Sequence, residues 1–139
     1  MPYDPALVEP MRREMSEIGV RELLTAQDVD DFMAEKAGSA LLIVNSVCGC
    51  AAGSARPGVR IAIQHERKPD RVATVFAGQD LEATEKARSY FGDYPPSSPS
   101  MVLFKDGEVA CFIPRHAIEG RDAPSVAFDL VAAFDEFCT

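Results

Sequence analysis

The sequence predicts an α/β domain with a central mixed β-sheet flanked by helices. Three observations predict this class. Two largely apolar runs, at 40–44 and 72–77, have the length of strands buried on both faces of a parallel sheet. The segments beside them carry apolar residues at helical spacing, as amphipathic helices do. Asp106-Gly107 separates two further apolar runs, and this dipeptide is typical of a β-hairpin turn.

The length and composition indicate one globular unit. The chain has 139 residues, and we expect a single domain over 1–139 with 1–18 as an N-terminal helical extension. Hydrophobic residues make up 47% of the chain and charged residues 26%, a balance that excludes a disordered, collagen-like or low-complexity protein.

The charge and the hydropathy pattern limit the classes of partner. A formal net charge of -8 opposes binding to a phosphate backbone, so nucleic acid is not an expected partner. No apolar run approaches the roughly 18 to 20 residues of a membrane span, and the N-terminus does not resemble a signal peptide. These features predict a cytoplasmic protein without a membrane partner, and they leave the oligomeric state open.

The N-terminal part is expected to contain two helices around a short strand. Apolar spacing predicts a helix at 5–17, and the mixed segment 20–24 is interpreted as an edge strand. Thr25 is expected to be the N-cap of a second helix, with Asp28 at its third position. Gly38 is expected to end that helix.

The segment 51–66, between the two buried strands, is harder to interpret. Gly53, Pro57 and Gly58 disfavour a helix, and the alternating apolar residues of 59–63 are typical of a strand. We favour a helix, because two parallel strands need a crossover connection and that connection is usually helical.

The following segments are expected to form a helix and then the hairpin. Asp80 is expected to cap a helix that reaches Phe91. A Pro/Ser loop at 94–100 leads into the hairpin of strands 101–104 and 109–113.

The last helix is expected at 123–138, with Asp122 as its N-cap. The predicted order is therefore βαβαβαββα after a leading helix. This is the element order of a thioredoxin-like fold, and the fold alone assigns no function.

Two cysteines, Cys48 and Cys50, lie between the first buried strand and the expected start of a helix. Unpaired backbone N–H groups and the dipole at a helix start stabilise a thiolate, so we expect Cys48 to have a lowered pKa and to be the more reactive thiol. A second cysteine two residues further on can resolve the mixed disulfide that the first one forms. Gly49 fits between them, because a ring closed across one intervening residue bends the backbone sharply.

Other interpretations of the cysteines stay open. A cytoplasmic protein is not expected to use them as a disulfide framework. Cys48 and Cys50 could be neighbours by chance and serve as small hydrophobic residues, or they could chelate a soft metal ion. The two histidines, His65 and His116, are not spaced from Cys48 and Cys50 as the ligands of a metal site usually are, and we assign no metal ligand. Two further cysteines are interpreted as packing residues: Cys111 and Cys138.

The Pro/Ser loop contains a second candidate feature, Pro99. Thioredoxin-like proteins carry a cis proline before the terminal hairpin, facing the active cysteines, and the segment from Pro99 to Gly107 resembles theirs. The resemblance implies a cis bond between Ser98 and Pro99, with the Ser98 backbone available for strand-like pairing with a substrate. The alternative is a solvated turn with a trans bond.

The sequence around the cysteine pair resembles the signature of the bacilliredoxin family, which has Cys-Gly-Cys where thioredoxins have Cys-x-x-Cys. The motif reads Asn45-Ser46-Val47-Cys48-Gly49-Cys50-Ala51-Ala52-Gly53. The likeness covers most of the chain and continues at 55–57, 68–70, 74–80, 94–101, 112–116 and 118–120.

This resemblance implies a cytosolic thiol–disulfide oxidoreductase that removes bacillithiol from mixed disulfides on proteins, with disulfide reductase or isomerase activity besides. Cys48 would be the attacking thiolate and Cys50 the resolving thiol, and these are the expected catalytic residues. The implied partners are thiolated or disulfide-bonded cytosolic proteins and a low-molecular-weight thiol. No dissociable cofactor is implied, and bacillithiol acts as a co-substrate. The alternative function is binding of a soft metal ion or a thiol carrier by the same cysteines without turnover.

Arginines near these motifs are candidates for binding the carboxylates of an anionic thiol, because the guanidinium fork suits such groups. Arg56 follows the cysteine motif, and Arg115-His116 follows the predicted hairpin. Alternatively, Arg56 is a solvated residue in the first turns of the helix and Arg115 a surface charge in a loop. The expected substrate-binding residues are Gly49, Arg56, Ser98 and Pro99.

Overall fold

The structure is a computed structural model that describes residues 2–138, so the two ends of the predicted domain range, Met1 and Thr139, lie outside the described residues. In chain order its elements are α1 (Pro5–Ser16), β1 (Arg21–Glu22), α2 (Ala26–Ala34), β2 (Ser39–Asn45), a π-helical turn (Ala51–Ala55), α3 (Arg56–Ala62), β3 (Arg71–Phe76), α4 (Leu81–Ser89), β4 (Ser100–Lys105), β5 (Glu108–Ile113), a 3-10 turn (Arg115–Ala117) and α5 (Ala123–Phe137). This order confirms the predicted βαβαβαββα arrangement after a leading helix.

The five strands form one mixed sheet in the order β1-β3-β2-β4-β5. Strand β3 pairs in parallel with β1 and β2, whereas β4 runs antiparallel to β2 and β5. Val44, near the end of β2, pairs with Ser100 at the start of β4, and Met101 pairs with Ile113 at the end of β5. The loop after β2, the loop before β4 and the chain after β5 therefore leave the same end of the sheet.

The central strands are buried because both faces of the sheet are covered. Leu41 and Ile43 of β2 point into a core shared with α1, α3 and α5. Leu42 and Val44 point to the opposite face, into a core shared with α2 and α4. Side chains alternate between the two faces of a strand, so an unbroken apolar run satisfies both cores. Full burial of each such side chain contributes about 1.5–3 kcal/mol of transfer free energy.

The predicted helix caps have different outcomes. Thr25 and Asp28 form a reciprocal capping box at the start of α2, as predicted. Asp122 accepts a hydrogen bond from the Ser125 N–H at the start of α5, also as predicted. The prediction for Asp80 is wrong in one respect: it precedes α4, but its side chain makes no capping bond. Its carboxylate instead accepts two hydrogen bonds, of 2.8 and 2.9 Å, from the guanidinium of Arg12 on α1.

The segment after the cysteines is helical, which confirms the preferred interpretation, although it ends at Ala62 and its first part is π-helical. Gly58 does not break this helix. A Cβ atom on Gly58 would lie 2.8 Å from Cγ1 of Val126, so the glycine allows α3 to pack closely against α5. Pro57 is tolerated because it stands in the first turn of α3.

The remaining boundaries differ from the predictions by a few residues. The edge strand β1 is only two residues long, and α2 ends at Ala34, before Gly38. Among residues 2–138 no helix has both the length and the apolar character needed to cross a membrane.

Candidate active site

Cys48 lies at the start of the helix that follows β2. Its carbonyl oxygen accepts hydrogen bonds from the N–H groups of Ala51 (3.1 Å) and Ala52 (3.2 Å), and the backbone is helical from Gly49 onward. The Cys48 N–H donates to the hydroxyl oxygen of Ser46 across 3.2 Å. The attacking position predicted for Cys48 is therefore at a helix start, where the backbone N–H groups and the helix dipole stabilise a negative charge.

The environment of Cys48 favours its ionised form. Partial burial opposes ionisation, but hydrogen bonds outweigh it: the donors are the Cys50 thiol, the Ala51 N–H, the Ser46 hydroxyl and the Cys50 N–H. The pKa of Cys48 consequently lies below that of an ordinary cysteine. A thiol with a lowered pKa has a larger thiolate fraction near neutral pH, and the thiolate is the nucleophile.

Cys50 has the opposite character. Burial raises its pKa, and its role as hydrogen-bond donor to Cys48 and the negative charge on Cys48 raise it further. The charge of Arg115 partly offsets this, whereas that of Glu119 adds to it. The structure thus places a thiol with a lowered pKa beside a thiol with a raised pKa, with no disulfide between them. This asymmetry agrees with the predicted roles of attacking and resolving cysteine.

Gly49, between the two cysteines, is exposed and its φ angle lies outside the left-handed region. A Cβ atom at this position would meet nothing within 4 Å. The dithiol conformation therefore does not itself require glycine. Its predicted place in substrate binding stays a prediction, and the open space above it is compatible with the approach of a substrate.

Arg56, the first residue of α3, is 2% exposed. Its Nη1 donates to Oδ1 of Asn45 (2.9 Å) and to the carbonyl oxygen of Ser46 (2.8 Å). Its Nε lies 3.1 Å from a carboxylate oxygen of Glu14 but is not aligned for a hydrogen bond, so this contact is an ion pair. The solvated alternative for Arg56 is wrong. Substrate binding by Arg56 stays a prediction, and its contacts favour a positioning role, because the guanidinium faces into the protein.

Three residues of this network were given no role in the site from the sequence, although two of them stand in the cysteine motif: Glu14, Asn45 and Ser46. Asn45 also accepts a hydrogen bond from the Ser46 N–H (2.8 Å) and donates to the Met11 carbonyl oxygen on α1 (3.4 Å). A small hydroxyl residue just before a helix start is a recognisable signal for Ser46. No comparable local signal exists for Glu14. It reaches Arg56 because α1 packs against α3 in the core that both share with β2.

The Pro/Ser loop lies beside the end of β2. The peptide bond between Ser98 and Pro99 is cis, as predicted, and Pro99 is buried. Ser100, the next residue, pairs with Val44 in the sheet. The carbonyl oxygen of Ser98 accepts a hydrogen bond from Nη1 of Arg115 across 3.3 Å. Docking of a substrate on Ser98 and Pro99 stays a prediction.

Arg115 donates hydrogen bonds to the Pro/Ser loop, and its charge interacts with the cysteine pair. Its backbone N–H donates to the Ser97 hydroxyl (3.2 Å), and its Nε donates to a carboxylate oxygen of Glu119 (2.8 Å). The hydrogen bond to Glu119, followed by the charges on Cys50 and Cys48, raises the pKa of Arg115. Arg115 is therefore a half-exposed cation, and its charge interacts with the charges of both cysteines.

The other two cysteines lie away from this end of the sheet. Cys138, which directly follows α5, is buried in the core that α5 shares with the sheet, and Cys111 of β5 packs against the same core. Burial raises the pKa of both thiols. These positions agree with their interpretation as packing residues.

Solved thioredoxins share this fold. The structure superposes on the thioredoxin of Fasciola hepatica with a TM-score of 0.56 at 16% identity, covering 85% of this chain and 99% of that one. For mitochondrial thioredoxin 3 of Saccharomyces cerevisiae the TM-score is 0.58 at 14% identity, with 89% and 99% coverage. These likenesses show the thioredoxin fold, and a cysteine of lowered pKa at a helix start is able to carry out thiol–disulfide exchange.

Sequence comparison identifies the family. The family model described as disulphide isomerase matches residues 3–138. A bacilliredoxin of Geobacillus kaustophilus is 53% identical over 137 residues, which cover 98% of this chain and 94% of that protein. A bacilliredoxin of Shouchella clausii is 51% identical over 136 residues, with the same coverage. The chain belongs to the bacilliredoxin family.

Proposed function

We propose that this oxidoreductase removes a low-molecular-weight thiol, with bacillithiol as the candidate, from mixed disulfides on cytosolic proteins. The observation that carries the proposal is the opposite pKa shift of the two neighbouring thiols, down for Cys48 and up for Cys50. An attacking group must be a thiolate before the substrate arrives, whereas a resolving group must stay protonated until the mixed disulfide has formed. The names of the bacilliredoxin relatives support the choice of thiol.

The reaction proceeds in two exchanges. The Cys48 thiolate attacks the sulfur of the small thiol, the S–S bond of the substrate breaks, and the substrate protein leaves as a thiolate. Cys50 then transfers its proton to solvent or to a departing thiolate and attacks the Cys48 sulfur, which releases the small thiol. The product is a disulfide between Cys48 and Cys50, and two electrons have passed from the cysteine pair to the substrate.

A second thiol completes the cycle. Two molecules of a small thiol, or one molecule of a dithiol reductant, supply two electrons to the oxidised pair and leave as a disulfide; alternatively, an external thiol attacks the mixed disulfide on Cys48 in place of Cys50. The same chemistry acts on protein disulfides, which gives the reductase and isomerase activities. The proposal needs no dissociable cofactor, since the electrons come from thiols, and it places the protein in the cytoplasm with its thiolated substrates.

Single-turnover reactions test the proposal. The substrate is a protein whose one cysteine carries bacillithiol, and mass spectrometry follows its release. We expect Cys48→Ser to abolish release, and Cys50→Ser to accumulate the mixed disulfide on Cys48. Cys111→Ser is the matched control and retains the rate of the unmodified protein. Release of bacillithiol at an unchanged rate by Cys48→Ser contradicts the proposal.

The second candidate function is binding of a soft metal ion or a thiol carrier without turnover. Two adjacent sulfurs suit such an ion. Among residues 2–138, however, no group of three or more Cys, His, Asp and Glu side chains is arranged to hold a metal. Single-turnover exchange that chelators do not alter favours the enzyme, and stoichiometric metal with no exchange favours this second function.

A further inference from the structure

We propose that Arg115 is a specificity-determining residue that binds a carboxylate of the small thiol, so that the site prefers acidic thiols. This inference rests on the proposed function, because it assigns the substrate class of the same cysteine pair. The acidic group is a carboxylate of the small thiol, joined to the reacting sulfur by a short linker.

The position of Arg115 follows from the sheet register. Residues that follow Ile113 leave the same end of the sheet as the loop of Cys48, because Ile113 pairs with Met101 and Ser100 pairs with Val44. Arg115 is thereby placed at the same end of the sheet as the cysteine pair, and its charge interacts with the charges of both cysteines.

The orientation of the guanidinium is set by two hydrogen bonds. Nε donates to Glu119, and Nη1 donates to the carbonyl oxygen of Ser98, next to Pro99. Within residues 2–138, the structure gives Nη2 no hydrogen-bond partner, and 45% of the side chain is exposed. A guanidinium held in this way presents its remaining N–H groups to an incoming carboxylate with little loss of side-chain freedom.

The charge balance gives this one cation a large effect. The chain carries a net charge of -8, so an anionic thiol is repelled by the protein as a whole. Glu119 adds a negative charge at the site and weakens the attraction. Loss of Arg115 therefore leaves Glu119 and the Cys48 thiolate facing the anion, whereas loss of the Glu119 charge strengthens the preference.

The decisive experiment compares an anionic and a neutral alkylating agent. The same Cys48 thiolate attacks iodoacetate and iodoacetamide and displaces iodide from each, so the ratio of the two rates cancels any change in the pKa of Cys48 and reports the local attraction for a carboxylate. Peptide mass spectrometry assigns the labelled cysteine. We expect Arg115→Gln to lower the iodoacetate-to-iodoacetamide ratio by about fivefold to tenfold at low ionic strength.

Three further variants complete this experiment. Arg115→Lys keeps the charge, so it is expected to lower the iodoacetate-to-iodoacetamide ratio less than Arg115→Gln does. Glu119→Gln is expected to raise this ratio. Arg60→Gln, on the exposed side of α3, makes the same change in net charge away from the cysteines and should leave the ratio unchanged. An unaltered ratio in Arg115→Gln, or an equal fall in Arg60→Gln, overturns the inference.

A second measurement separates this inference from the proposed function. One substrate protein is prepared with mercaptosuccinate, 2-mercaptoethanol or cysteamine on its cysteine. We expect wild type to prefer mercaptosuccinate and Arg115→Gln to lose that preference. If no mixed disulfide reacts with wild type, the proposed function fails while the alkylation ratio still decides the role of Arg115. If all three react with ratios that Arg115→Gln does not change, only the inference fails.

Discussion

The guanidinium of Arg56 donates a hydrogen bond of 2.8 Å to the carbonyl oxygen of Ser46 inside the protein. This bond connects the first residue of α3 to the loop that carries Cys48. Ser46 in turn accepts a hydrogen bond from the Cys48 N–H and donates one to the Cys48 sulfur. We therefore expect the lowered pKa of Cys48 to depend on this buried arginine, which holds the Ser46 backbone in place.

Replacement of Arg56 tests this dependence. Arg56→Lys keeps the positive charge but loses the planar guanidinium whose Nη1 donates to both Asn45 and Ser46, so we expect a loss of about 1.5–3 kcal/mol in unfolding free energy. The pKa of Cys48 should rise, because Ser46 is less well held. Denaturant unfolding and the pH dependence of Cys48 alkylation measure the two effects.

Arg60→Lys is the matched control for this change. Arg60 is exposed on the same helix, and its replacement should alter neither quantity. If Arg56→Lys shifts stability but leaves the pH profile of Cys48 in place, then Arg56 supports the fold without positioning the thiol.

Replacement of Cys50 tests its role as a hydrogen-bond donor. Cys50→Ser keeps a donor beside Cys48, whereas Cys50→Ala removes it, so the pKa of Cys48 should be higher in Cys50→Ala. A higher pKa means less thiolate at pH 7, and we expect alkylation of Cys48 to be about twofold to tenfold slower than in Cys50→Ser, the equivalent of one hydrogen bond. The rate in both variants should rise with pH until Cys48 is fully ionised. Equal rates at pH 7 would show that the Cys50 thiol does not stabilise the Cys48 thiolate.

The reactivity order of the two thiols follows from the same pKa shifts. In the wild-type protein, alkylation should begin at Cys48 as the pH rises, because its pKa is lowered, and Cys50 should react only at higher pH, because its pKa is raised. Site-resolved mass spectrometry against pH measures this order. Labelling of Cys50 before Cys48 would reverse the assigned roles.

Gly49→Ala tests whether the glycine serves the substrate. A Cβ atom there meets nothing within 4 Å, so unfolding free energy should change by less than about 1 kcal/mol. Reaction of Cys48 with iodoacetamide should change little, because that reagent is small. Exchange with a protein mixed disulfide should fall several-fold, because the larger substrate passes over the added methyl group. A parallel fall for both reagents would instead indicate a changed loop conformation.

Gly58→Ala tests the close packing of α3 on α5. The new Cβ would lie 2.8 Å from Cγ1 and 3.0 Å from Cβ of Val126, and we expect a loss of about 1–3 kcal/mol in unfolding free energy. Gly53→Ala is the matched control, since no atom lies within 4 Å of its Cβ position. Val126→Ala in the Gly58→Ala background should recover part of the loss. Equal stabilities of the two alanine variants would contradict this packing.

Features that depend on residues close together in the chain could be predicted from the sequence. The capping box of Thr25 and Asp28 spans one helical turn. The apolar run of β2 identified a strand covered on both faces, because side chains alternate along it. The cysteine motif and the place of Cys48 at a helix start could likewise be predicted, since both depend on a few consecutive residues.

The pairing of charges that are distant in the chain depends on how the helices and strands pack. Asp80 has the sequence position of an N-cap, yet it pairs with Arg12 because α1 lies beside it. Arg56 is buried against Asn45 and Glu14, although its position in an amphipathic segment is equally compatible with a solvated residue. A long side chain selects the partners that packing brings within about 3 Å, and the local spacing of residues does not encode that choice.

The arrangement at the cysteine pair has the same origin. Arg115 stands 67 residues after Cys48 in the numbering, and no local pattern connects them. The pairing of β4 with both β2 and β5 carries Arg115 and Ser98 to the end of the sheet where Cys48 lies. The short motif therefore predicts the chemistry of the thiols, whereas the register of the sheet determines which charges act on them.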